Sequence, residues 1–203
     1  MFFRVEFGGR FGGHDTISSR LAPLTEQIRK MSELDEAWAV ALAEAEQRAR
    51  LAGRGDVAEY LALRNSNDLL RNAGIDWLMT SFTNVAGDAN RAGASIQLGN
   101  TDGHRFRMGN STMVGRLVSL TYGVRQLLVE AGWPRVPRDG IVRGGGLAAA
   151  HVRHVGMRRA DEELLLSRSA SGSPQWTSVM KGARVFHESD VRRHVTILLD
   201  WQL

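Results

Sequence analysis

From Gly93 the chain reads Gly93-Ala94-Ser95-Ile96-Gln97-Leu98-Gly99-Asn100-Thr101-Asp102-Gly103-His104-Arg105-Phe106-Arg107-Met108-Gly109. Residues 94–98 and 104–108 are pieces of strand length set between glycines, and Gly and Asn supply the positive φ angles that tight turns require. Gly87, Gly93, Gly99, Gly103 and Gly109 punctuate the whole stretch 86–115. Here a helical sequence gives way to strands.

Upstream the pattern is helical. Leu21, Leu24, Ile28 and Met31 recur at three- and four-residue spacing, and Ser32 with Asp35 is an acidic capping signal ahead of an Ala-rich run to Leu51. Gly53 stands where a C-terminal glycine belongs, so residues 15–53 read as one broken helix or two in succession. Arg54-Gly55-Asp56 reads as a turn, followed by helix over 57–63 and 69–82 with Leu70, Ala73, Trp77, Leu78 and Ser81 on one face. Before all of these, Phe3, Val5 and Phe7 alternate with Arg4 and Glu6, the period of a short half-buried strand.

Downstream, residues 117–129 fit strand or helix, with β-branched residues favouring strand at the start. Trp133-Pro134-Arg135-Val136-Pro137-Arg138-Asp139-Gly140 carries turn chemistry. Residues 141–182 hold Gly144-Gly145-Gly146 and a Ser-rich run from Ser167 to Pro174, and read as a long, partly mobile loop excursion with a short helix within it. Ser189-Asp190 caps a final helix running to Leu203, with Val191, Val195, Leu198 and Trp201 on its apolar face. The pattern is α+β, a single domain over 1–203 without repeats or heptads.

Composition sets the outer bounds. The 203 residues are 43% hydrophobic and 24% charged, enough to build a core, and there is no Cys. That excludes a disulfide scaffold, a thiol nucleophile and Cys-based metal sites. Apolar runs such as Ile197-Leu198-Leu199 fall far short of the ~20 residues that span a bilayer, and residues 1–7 lack the features of a signal peptide. The expectation is a soluble protein with no membrane partner, working where it is made or assembled from there. Residues 1–102 carry 11 Lys or Arg against 14 acids, and residues 103–203 carry 15 against 8, so the halves differ in sign at −3 and +7. A basic half can meet phosphate. Of the 26 cations 24 are Arg, which beside abundant Ala and Gly is also the usage of a GC-rich genome.

No catalytic pattern emerges. Gly109-Asn110-Ser111-Thr112-Met113-Val114-Gly115 lacks the Lys of a P-loop, and the glycines at 8, 9, 12 and 13 miss the dinucleotide spacing. On a helix, His151-Val152-Arg153-His154 would put two imidazoles on one face, and His187, Glu188, Asp190 and His194 lie close in sequence, yet no stringent metal motif is present. Asp161-Glu162-Glu163 beside Arg158-Arg159 reads as an exposed charged face with local ion pairs. Ser111, Ser119 and Ser173 have no GxSxG setting. No enzyme, cofactor or metal site is expected, and an enzyme using His151 or His187 is a minor alternative. Arginines spread through the basic half, and Arg105 with Arg107 share a face if they lie on one strand; Arg105, Arg107 and Arg116 are the candidates for contact with DNA phosphates. Few aromatics accompany them, so a stacking platform for single strands is poorly supported.

As an ordered series these landmarks resemble the phage virion-morphogenesis family, the tail-completion or tail-terminator proteins of the neck. Residues 1–9 are similar to its first strand, 21–51 to its long helical segment, and Arg91-Ala92-Gly93-Ala94-Ser95-Ile96 to the small-residue segment ahead of its sheet. Most specific is Gly182-Ala183-Arg184-Val185-Phe186-His187-Glu188-Ser189-Asp190-Val191-Arg192-Arg193 with Ile197-Leu198-Leu199-Asp200-Trp201, similar to the family's closing Ala-Arg-Pro segment and last helix. Val185 replaces the Pro, and Tyr122-Gly123-Val124-Arg125-Gln126 stands where members show Tyr-Ala-x-x-His-Gln. The resemblance implies an α+β subunit with a small antiparallel β-sheet packed against helices. It implies a ring, commonly a hexamer, that closes the tail or joins it to the head in the virion after synthesis in the host cytoplasm. Other neck or tail proteins would be its partners and DNA would pass the lumen. Trp133, Val185 and Phe186 are the expected subunit contacts. The rival reading is a non-enzymatic nucleic-acid-binding protein using its basic C-terminal half.

Overall fold

A computed structural model describes residues 37–179 and 182–200. The strand expected at 3–7, the helical pattern at 15–31 and the last three residues lie outside these. The chain divides into two compact units, Met1–Ala58 and Glu59–Leu203.

In the first unit helix α1 covers residues 37–51. It stops where Gly53 takes a φ of 71°, and the Arg54 and Gly53 N–H groups close back on the Ala49 and Arg50 carbonyls at 2.9 and 3.1 Å. This is the Schellman ending that a glycine after the last helical turn allows.

Helix α2, Gly55–Arg91, is continuous over 37 residues. The turn expected at 54–56 falls at 52–54, and the break after 63 is absent. Arg64-Asn65-Ser66-Asn67-Asp68 has weak helix propensity but no proline, and contacts carry it through: Asp68 pairs with Arg71 at 2.6 Å and Ser66 accepts from Arg168 at 2.9 Å. The buried stripe of α2 is Ile75, Leu78, Met79, Phe82, Val85 and Ala86, at the three- and four-residue steps of one helical face. Trp77, expected on that face, is 40% exposed. The helix ends at Gly93 (φ 103°), and the Asn90 amide brackets Ile96, accepting its N–H at 2.8 Å and donating to its carbonyl at 2.9 Å.

Six antiparallel strands follow in sequence order: β1 (Gln97–Met108), β2 (Ser111–Tyr122), β3 (Arg125–Trp133), β4 (Ala148–His154), β5 (Glu162–Arg168) and β6 (Pro174–Ser178). The β1–β2 and β2–β3 turns open with Gly109 and Gly123 at φ 58° and 59°, the first central position of a type II′ hairpin. The 141–182 excursion of the sequence reading is in fact half of this sheet. Its strands were hidden because β4 begins Ala148-Ala149-Ala150, with little strand propensity, and because the conspicuous Gly and Ser runs are its connections.

One face of the sheet packs on α2 and on α3 (Glu188–Asp200). Its rows can be followed through the register: Val118 lies opposite Val129, Val129 opposite Val152, and Val152 opposite Glu162. Gly115 and Gly132 face each other across β2 and β3, and a Cβ on Gly115 would stand 2.0 Å from the Ala131 carbonyl oxygen. On the second face Phe106, Met113 and Ala149 form a small cluster joined by Met108 and Val142. The architecture is α+β, an antiparallel sheet against helices.

Candidate functional site

The Val118–Val129–Val152 row ends on a carboxylate that faces the core, and the next row, Leu120 and Leu127, ends on His154. Glu162 and His194 are fully buried and His154 is 6% exposed. The three are hydrogen-bonded in series: His154 Nε2 to His194 Nδ1 at 2.9 Å, and His194 Nε2 to Glu162 Oε2 at 3.2 Å. One proton lies between the two imidazoles, and His194, facing Glu162 through its Nε2, bridges His154 to the carboxylate. Burial, then the neighbouring His194 and Arg193, hold the His154 pKa down at about 4, so this imidazole is neutral near pH 7.

Two arginines close the other side of Glu162. Arg193 of α3 meets Oε2 at 2.6 Å, and Arg184, ahead of α3, meets Oε1 at 3.4 Å. Arg184 also binds Asp190 through both terminal nitrogens at 2.8 and 2.7 Å, the forked geometry that guanidinium and carboxylate share. That pairing holds the Asp190 carboxyl below its ordinary pKa. Asp190 Oδ2 accepts the His187 N–H at 3.0 Å, as a third-position acid does for the residue capping a helix start. At the far end of α3 the Leu198 and Leu199 carbonyls accept from Arg125 at 3.2 and 2.9 Å. The result is a clamp: charges on strand and helix lock α3 onto the sheet. Each imidazole and Glu162 are shut in, so none is presented to a reactant.

This corrects the sequence reading at several points. Glu162 is not on an exposed charged face; its register on β5 turns it inward. His151 and His154 share no face, since three residues along a strand point to opposite sides. His151 lies on the second face, level with Glu130, where burial and then Arg153 lower its pKa. Glu130 there meets His104 at 2.7 Å and Arg153 at 3.2 Å. Among the described residues no group of three or more His, Asp or Glu is arranged to hold a metal ion.

The arginines singled out from sequence differ in their circumstances. Arg116, its side chain 43% exposed, lies between Asp76, with which it makes a close ion pair, and Asp102 at 3.1 Å. Arg105 reaches Asp139 at 3.5 Å with its side chain 61% exposed. Arg107 is exposed and has no acidic partner among the described residues. Of the expected subunit contacts, Trp133 and Phe186 belong to the core at 8% and 3% exposure, and Trp133 is overlain by Arg135 at 3.7 Å. They hold the subunit together and leave little area for a neighbour. Val185 is half-buried and bridges Thr177 beside β6. The clamp itself carried only faint sequence signals: an acid three residues into a helix, and an Arg six residues before it. Comparison of the chain with protein-family models, curated proteins and solved structures found no match to any of them.

Proposed function

We propose that this chain is a structural subunit of a bacteriophage virion, of the tail-terminator or tail-completion type, which assembles into a ring at the neck or tail and does no chemistry. The carrying observation is the clamp. The stretch that most resembles the family, 182–193, is the one whose Arg184, Asp190 and Arg193 fasten the last helix to the sheet through Glu162. A segment with that duty has a structural reason for its residue types. The antiparallel sheet packed on helices, which the resemblance implies, supports the same reading. Ring closure from a single repeated surface is the ordinary route for a small subunit to build a tubular joint.

The test is the mass of the purified protein across concentration, by light scattering after size exclusion, with negative-stain imaging of any large species. A discrete ring supports the proposal. A monomer at every concentration overturns self-assembly as its function.

A further inference from the structure

The contacts of residues 137–143 bring a second set of arginines to the β1–β2 hairpin. Ser111, just after the hairpin turn, holds Ile141 through its hydroxyl, which donates to the Ile141 carbonyl at 2.8 Å and accepts its N–H at 3.2 Å. Gly140 packs so closely there that a Cβ on it would stand 2.5 Å from the Ser111 hydroxyl oxygen. The Arg143 guanidinium lies against the hairpin turn, its central carbon 3.2 Å from where a Cβ of Gly109 would be. Asp139 meets Arg105 at 3.5 Å. Arg105, Arg107, Arg138 and Arg143 are thereby gathered at one end of the sheet, and all four are exposed.

Acid is scarce there. Between residues 103 and 160 the chain has only two acids, Glu130 and Asp139; both are buried, Glu130 against His104 and Arg153, and Asp139 beside Arg105. Arg107, Arg138 and Arg143 have no acidic partner among the described residues. We propose that this end of the sheet is a docking surface for the phosphate backbone of double-stranded nucleic acid, bound through Arg107, Arg138 and Arg143 with Arg105 at its edge.

Three features favour a phosphate backbone. Every cation in the patch is an arginine, whose planar fork matches phosphate oxygens. The patch is set on a hairpin and a short, tightly held turn, so little order has to be gained on binding. The only large apolar side chains exposed on 125–147 are Val136 and Ile141, and the patch contains no long amphipathic helix to lay on a lipid surface. The surface belongs to one subunit and does not depend on ring formation. It replaces Arg116, whose charge is taken up by Asp76 and Asp102, with Arg138 and Arg143.

The experiment measures binding of the full chain to a fluorescently labelled duplex of arbitrary sequence, by anisotropy, between about 50 and 200 mM salt. It compares the wild type with R107A/R138A/R143A and with R158A/R159A/R192A, which removes the same charge elsewhere. The expected result is a loss of ~10-fold or more for the first variant, with a salt slope shallower by about 3, and a change of less than ~2-fold for the second. Equal losses in the two variants, or no duplex binding by the wild type at the lowest salt, would overturn the proposal. So would competition by polyglutamate or by anionic vesicles as effective as that by unlabelled duplex. Light scattering on the same samples reports the ring separately, so loss of either property is visible without the other.

Discussion

His154 Nε2 and His194 Nδ1 lie 2.9 Å apart inside the core and share one proton. On its other side His194 Nε2 meets the buried Glu162 carboxylate at 3.2 Å. A strand and the last helix are thus joined by two imidazoles in series ending on a buried carboxylate.

The chain makes stability depend on pH in a stated direction. The folded-state pKa of His154 is about 4, below its ordinary 6.5. The unfolded chain therefore takes up the proton first as pH falls, and the stability contributed by the neutral imidazole, fully present above pH 6.5, is lost between 6.5 and 4. The shift corresponds to roughly 3 kcal/mol. Urea denaturation at steps across that window should show the midpoint falling with pH. The same series on His154→Gln should be flatter, and an equally steep slope in the variant would refute the assignment.

Glu162→Gln keeps the shape of the side chain and removes the charge that Arg184, Arg193 and His194 share. Breaking a buried ionic group on one side costs about 3 kcal/mol or more. Arg158→Gln, at an exposed position, should change stability by less than ~0.5 kcal/mol. Chemical denaturation of the two variants side by side is the measurement, and similar costs would show that Glu162 is not the hub.

Gly115→Ala should destabilise by about 3 kcal/mol, because the new methyl meets the backbone carbonyl of Ala131, which has no rotamer to yield. Gly123→Ala meets nothing within 4 Å but must hold φ 59°, so its cost is backbone strain alone, about 1 kcal/mol. Thermal melts that rank the two the other way would contradict the close approach of β2 and β3.

Ser178 carries a fully buried hydroxyl for which the described residues offer no hydrogen-bond partner. Ser178→Ala removes an unsatisfied polar atom and should raise stability by about 1 kcal/mol. A lower melting temperature in the variant would mean that the hydroxyl has a partner.

Much of the local grammar was legible in the sequence. Gly53 ends its helix, Gly93 and Gly109 turn the chain, and Val191, Val195 and Leu198 face inward on the last helix, because each follows from backbone sterics or helical period within a few residues. What was not legible depends on pairing between distant strands. The inward aspect of Glu162 is decided by its place opposite Val152, and nothing in Asp161-Glu162-Glu163 marks which of three acids that is. The His151–His154 spacing has opposite meanings on a helix and on a strand, and the alanines of β4 gave no sign which applied. Trp133 and Phe186 were conspicuous as large side chains, but only the packing shows that they are interior.

The strand order has a further consequence for how the chain is made. Every strand of the sheet pairs with the one synthesised just before it, so the sheet can grow hairpin by hairpin as the polypeptide leaves the ribosome. Glu162 is turned toward the interior as soon as β5 joins β4, whereas Arg184, Arg193 and His194 all come later. Residues 184–194, which supply those arginines and the imidazole, are thus made after the sheet they fasten.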